Sequence, residues 1–194
     1  MSYIFAFSFH LLVGLYICTV LHELGHALIM KTLGLRIQSI EFGSKTLFQF
    51  KIRDCIVKFG VWPEGRCTTA TDPVKKTHML AILGAGIAAN LLCIALLYLL
   101  MQFAVIPKTI AVPYISANII LVIINTLPVT YFTDGYLFYI VARAIIRNVD
   151  VRWLVDHTRM SSGKREKNVG WLIFAIILAL TTIGVIIATN FSVF

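Results

Sequence analysis

Thr19-Val20-Leu21-His22-Glu23-Leu24-Gly25-His26-Ala27-Leu28 is the stretch on which the reading of this chain turns. It sets the pattern H-E-x-x-H inside an apolar run of helical character. On an α-helix, residues four apart share a face and lie about 6 Å apart along the axis. His22 and His26 can therefore both reach one Zn²⁺ at roughly 2.0–2.1 Å, with Glu23 beside them to take a proton from an activated water. From Met1 to Leu21 there is no Asp, Glu, Lys or Arg. A carboxylate between two histidines in such a run is costly to bury unless it has chemistry to perform or a partner. A satisfied polar cluster between packed membrane helices is the plainer alternative.

The composition places that run in a bilayer. Of 194 residues, 59% are hydrophobic and only 13% charged, with a mean hydropathy of +0.87. An ordinary soluble domain has no use for so much apolar surface. The pattern predicts an integral membrane, mainly α-helical protein forming a single domain over 1–194. About four transmembrane spans are expected, near 2–30, 79–101, 110–146 (broken at Pro128) and 169–189. The N-terminus has no basic leader and no small-residue cleavage site, so the first span is expected to stay in the mature protein. Cys18, Cys55, Cys67 and Cys93 form no C-x-x-C pair and are expected to be reduced thiols. Cys18, one turn before His22, reads as a small packing residue, with a fourth metal ligand as the alternative.

Counting back from Lys31 puts His26 roughly 7 Å and His22 roughly 13 Å below the interface. His10, three turns before His22, is too far away to join them and reads as a packed or interfacial histidine. Between the first two spans, Phe48-Gln49-Phe50-Lys51-Ile52-Arg53 alternates as a half-buried strand does. Asp54-Cys55 offers a turn, Ile56–Trp62 a returning strand, and Ile37–Phe42 a further strand ending at Gly43-Ser44. A small membrane-associated β-hairpin region at 37–62 is expected, either lying at the interface with an edge open to an extended peptide or serving as a solvated connector.

Thr71-Asp72-Pro73 reads as the start of the second helix. Gly84-Ala85-Gly86-Ile87-Ala88-Ala89-Asn90 lets another helix approach closely, and Asn90 is placed to cross-bond helices or to line the site. In the third span Pro128 should break the helix, and Thr133 can cap a new one starting at Asp134. Broken backbone at membrane depth is tolerated where it is buried in protein or lines a wet cavity. Asp134 precedes Arg143 by nine residues, the count that separates His22 from Lys31. Asp134 is therefore expected at the depth of His22, as the third metal ligand.

Charge supplies orientation. Lys and Arg number nine in 31–78, one in the second connection, at Lys108, and seven in 143–167, which accounts for all 17. Both basic segments fall on one side of a four-span arrangement. That side is expected to be cytoplasmic, with both termini outside and the site toward the cytoplasmic face. Topology thus accounts for the net charge of +8, and no nucleic-acid partner is expected. Only two of the nine acidic residues, Glu23 and Asp134, fall inside the spans, and no buried cation matches them. A Zn²⁺ ion would.

Together, His22-Glu23-Leu24-Gly25-His26 early and Asn125-x-x-Pro128 with Asp134-Gly135 late resemble the site-2 protease family of intramembrane zinc metalloproteases. The run ending in Asn90 is similar to the family's glycine-containing motif, and Ile40-Glu41-Phe42-Gly43 to its membrane-associated β segment. The resemblance implies hydrolysis of a peptide bond in or near a transmembrane segment of a membrane-bound substrate or short precursor peptide. It implies His22, His26 and Asp134 as Zn²⁺ ligands and Glu23 as general base. Asn125 would contact substrate or its oxyanion, or else bond backbone freed by Pro128. Asn90 is a further candidate substrate contact. The sequence departs from the family in having Thr133 where leucine is usual and no second proline after Pro128. It also carries no PDZ or nucleotide-sensing module. The expected setting is a multi-pass bacterial cell membrane. A catalytically inactive membrane binding protein of the same fold and a metal transporter are the competing readings.

Overall fold

The computed structural model describes residues 2–70, 75–127 and 133–148. The expected fourth span at 169–189, most of the basic segment 143–167, the helix start at 71–73 and Pro128 itself lie outside the described residues. The order of elements is α1 (Ser2–Thr32), β1 (Ile37–Ile52), β2 (Cys55–Thr69), α2 (Lys76–Gln102), α3 (Lys108–Thr126) and α4 (Asp134–Ile146). Three helical segments, Phe5–Thr32, Lys76–Gln102 and Lys108–Thr126, are long and apolar enough to cross a membrane. In such surroundings the backbone must satisfy its own polar groups, which an α-helix does within one segment.

The helices pack through small residues. Leu11, Leu15 and Cys18 of α1 form the principal buried cluster with Ala117 and Ile120 of α3. A Cβ at Gly14 would come within 3.2 Å of Ala117 Cβ, so this crossing is close. One at Gly25 would lie 2.7 Å from Ala85 O and 2.9 Å from Ala89 Cβ, so α1 and α2 touch where the small-residue run was expected to receive a helix. Val141 of α4 is buried against Met79, Leu80 and Leu83 of α2. The buried stripe of α1, Leu11-Leu15-Cys18, continues through His22 and His26 to Met30. Leu24 and Leu28 point outward, as lipid-facing residues would.

The expected break in the third span is present as two helices. Thr133 caps α4, its hydroxyl oxygen accepting from Tyr136 N and its O–H donating to Leu127 O at 3.1 Å. A Cβ at Gly135 would meet the carbonyl of Thr126, so the glycine lets the first turn of α4 close against the end of α3.

The hairpin corrects the sequence reading in extent and in its turn. β2 does not stop before Pro63 but runs on to Thr69, and the turn falls at Arg53-Asp54 rather than Asp54-Cys55, with Arg53 at φ 53°. Pro63 has no cross-strand partner in the ladder, which is where a strand tolerates proline. Ser39 to Phe42 each pair twice, with Thr68 to Gly65 on one side and with Ile56 to Phe59 on the other. The second series advances in the same direction as β1, so the hairpin is bent back on itself. The bend lies at Gly43 (φ 101°) and Lys45 (φ 54°), where a Cβ at Gly43 would be 2.6 Å from Gly60 O. Phe59 stacks on the exposed Phe48 and Phe50, and Lys58 Nζ donates to Glu41 Oε1 at 2.7 Å.

The hairpin packs against the first helix. It runs alongside α1, touching it at Met30 (Cys67 Sγ to Sδ, 3.6 Å), at Glu23 (against Gly65) and at Tyr16. Those contacts span about 21 Å of helix at 1.5 Å per residue. The Tyr16 hydroxyl, held within reach of Phe42 O (2.8 Å) and Gly60 O (3.1 Å), pins the bend. Tyr16→Phe is expected to cost about 1 kcal/mol and to make the 43–60 region markedly more sensitive to limited proteolysis, helix content staying unchanged.

Candidate metal centre

Two helical periodicities meet at the site. On α1, His22, Glu23 and His26 are all buried, at 4%, 5% and 6% exposure. The buried residues of α2 are Ile82, Gly86 and Asn90, again four apart. This stripe of α2 lies on the two imidazoles. His26 Nδ1 is 2.6 Å from Ile82 O, Asn90 Nδ2 is 3.2 Å from His22 Nδ1, and Gly86 sits between. The imidazoles meet edge to face, centroids 4.7 Å apart. From α4, Asp134 brings Oδ2 to 2.8 Å from His22 Nε2 and 3.1 Å from His26 Nε2.

The donor set fits a small divalent cation. A carbonyl oxygen only accepts, so His26 Nδ1 carries a proton toward Ile82 and Nε2 faces Asp134 with its lone pair. Two acceptors facing each other need a positive charge between them, whether a proton or a metal ion. The separations of 2.8 and 3.1 Å approach the roughly 3.3 Å edge of a tetrahedron with bonds of about 2.0–2.1 Å. One ligand atom each from His22, Glu23 and His26 also lies within 4.8 Å of the others. Glu23 differs from Asp134 in its surroundings. Its Oε1 lies against Gly65, and its buried Oε2 has no hydrogen-bond partner among the described residues.

The structure thus gathers four of the residues singled out in the sequence, His22, Glu23, His26 and Asp134. Asn90 joins them as a fully buried neighbour of His22. Asn125 stands apart, half-buried at the end of α3, its side chain making no hydrogen bond to another described residue. Its carbonyl lies 2.8 Å from where a Cβ of Gly135 would be. His10 packs on Tyr114, as a structural histidine does. The four cysteines are free. The Ile82 carbonyl, Gly65 and Tyr16 were not singled out in the sequence. Only Tyr16 carried a signal, a hydroxyl in an uncharged apolar run that must find an acceptor.

A membrane-embedded H-E-x-x-H helix with a carboxylate from a later broken helix defines a membrane metallopeptidase. The chain matches the family model described as Peptidase family M50 over residues 10–188 and belongs to that family. Membership makes it a metalloprotease of the multi-pass membrane type. No curated protein sequence matches the chain.

Proposed function

We propose that the protein is an intramembrane zinc metalloprotease of the site-2 type, with His22, His26 and Asp134 holding Zn²⁺ and Glu23 acting as general base. The observation that carries this reading is the convergence of both Nε2 atoms on one Asp134 oxygen, with the His26 proton committed to Ile82 O. When bound, zinc supplies Lewis-acid polarisation of the attacking water and of the scissile carbonyl. Glu23 Oε2, buried and without a partner among the described residues, takes the proton of the attacking water and later passes it to the leaving amine.

The substrate is a membrane protein or short precursor peptide, met in extended form. Supporting this, among the described residues Gly65–Cys67 pair along one edge, with β1, beside Glu23. Main-chain bonds to that edge would hold a peptide next to the base. Asn125, near the Asp134-Gly135 turn, serves as a substrate or oxyanion contact. The site faces the cytoplasm of a bacterial cell membrane, with both termini outside, an orientation that the basic segments support through the positive-inside rule. Leu11, Leu15, Cys18, Ala117 and Ile120 fill the α1–α3 contact beyond the site, which favours a closed enzyme over an ion path.

The test is zinc content measured with cleavage of a model transmembrane peptide in detergent. Stoichiometric zinc is expected, with cleavage that a chelator abolishes and added Zn²⁺ restores. Well-folded protein devoid of metal binding would sink the proposal. Bound zinc without cleavage of any membrane peptide would point to a binding protein of the same fold, and zinc uptake into proteoliposomes to a transporter.

A further inference from the structure

We infer that Asn90 is a positioning residue that sets which ring nitrogen of His22 is free for the metal, and that it does so by reversing its amide. The inference rests on the metal site proposed above. α2 treats the two histidines differently. His26 faces a backbone carbonyl, which can only accept, so its Nδ1 keeps a proton and Nε2 is the nitrogen left for the metal. His22 instead faces a side-chain amide, whose two ends offer opposite chemistry.

With Asn90 Nδ2 toward the ring at 3.2 Å, the amide donates to His22 Nδ1. The ring proton then sits on Nε2 and donates to Asp134 Oδ2 at 2.8 Å. Such an arrangement suits a metal-free site and blocks a ligand atom. Asn90 Oδ1, meanwhile, is buried without a partner among the described residues, and the whole residue has 0% exposure. Turning the amide over presents Oδ1 to the ring. His22 Nδ1 then carries the proton and donates, and the Nε2 lone pair is released.

Heavy atoms barely move in that exchange, and it breaks no bond of Oδ1, which has no partner among the described residues. The amide by itself therefore has little preference, and the charge beside Nε2 decides. Gly86 makes the two-sided arrangement feasible, because the rings lie where a Cβ would be, 2.5 Å from His22 Nε2. Asparagine suits both states. Ionised aspartate could only accept, and leucine could do neither.

The experiment measures Zn²⁺ affinity by chelator competition for wild type, Asn90→Leu and Asn90→Asp, together with imidazole ¹⁵N spectra with and without zinc. Asn90→Leu should lose roughly 10- to 100-fold in affinity at unchanged helix content, and Asn90→Asp should keep or exceed wild-type affinity. In wild type, zinc should convert His22 from the Nε2–H to the Nδ1–H form while His26 stays Nδ1–H. In Asn90→Asp, His22 should be Nδ1–H before zinc is added. Zinc affinity unchanged in Asn90→Leu, as a substrate contact would give, overturns the inference. So does one His22 tautomer in both wild-type states. Wild type that binds no zinc overturns the metal reading itself, and is a different result from either.

Discussion

Glu23→Gln should abolish cleavage of a transmembrane peptide, by about 10²- to 10⁴-fold, while zinc remains stoichiometric. The side chains are nearly the same shape, so the variant fits beneath Gly65 as the carboxylate does. What it loses is the ability to accept a proton from the attacking water. The short contacts of Asp134 Oδ2 are with the two imidazoles, which the substitution leaves in place. Removing a buried carboxylate whose Oε2 has no partner among the described residues should also raise the thermal midpoint, since an amide is cheaper to keep from water than a charge. Activity and stability thus move in opposite directions, as expected of a group kept for chemistry. Cleavage at the wild-type rate would leave the proposal without its base. Loss of zinc would show that Glu23, whose carboxylate shares the 4.8 Å cluster with His22 and His26, is a ligand instead.

The site was more legible than the fold around it, because its chemistry is local. Four-residue spacing put His22 and His26 together. Equal counts to Lys31 and Arg143 placed Asp134 at their depth without any knowledge of how the helices pack. The break before Asp134 followed from turn and cap chemistry, and Thr133 does cap α4. The hairpin was another matter. Alternation at 48–53 reports that one face is half-buried, not what covers it. Its descent along α1 depends on contacts between residues 26 to 44 positions apart, such as Tyr16 with Phe42 and Gly60. Its double register depends on a bend at two positive-φ residues, one of them a lysine. Small residues in 84–90 announced a close helix approach but not that Gly86 in particular receives the histidines. Membrane spans add a further ambiguity. Lipid is as apolar as a protein core, so hydrophobicity around a helix does not reveal which side packs, and only its polar residues do.

Two glycines in α2, two residues apart, should give opposite results, and the contrast tests how the site is built. Gly86→Ala is expected to lower zinc affinity by more than about 100-fold, on the scale of losing a ligand's orientation, and cleavage with it. A Cβ there would stand 2.5 Å from His22 Nε2, 2.6 Å from His22 Cε1 and 2.7 Å from His26 Cε1, closer than carbon and nitrogen atoms tolerate. Backing α2 away would part the close contact of Gly25 with Ala85 and Ala89, which packs the two helices together. The rings have to turn, and they carry the metal-facing atoms with them. Gly84→Ala meets nothing within 4 Å among the described residues. Both changes replace glycine by the best helix former, a gain of about 1 kcal/mol of intrinsic propensity. Zinc affinity and the thermal midpoint read the two effects separately. Gly84→Ala should hold or raise the midpoint with zinc binding and cleavage intact. Gly86→Ala should keep helix content while losing the metal. Equal zinc affinities in the two variants would mean that α2 does not seat the imidazoles, and the stripe Ile82-Gly86-Asn90 would be ordinary packing.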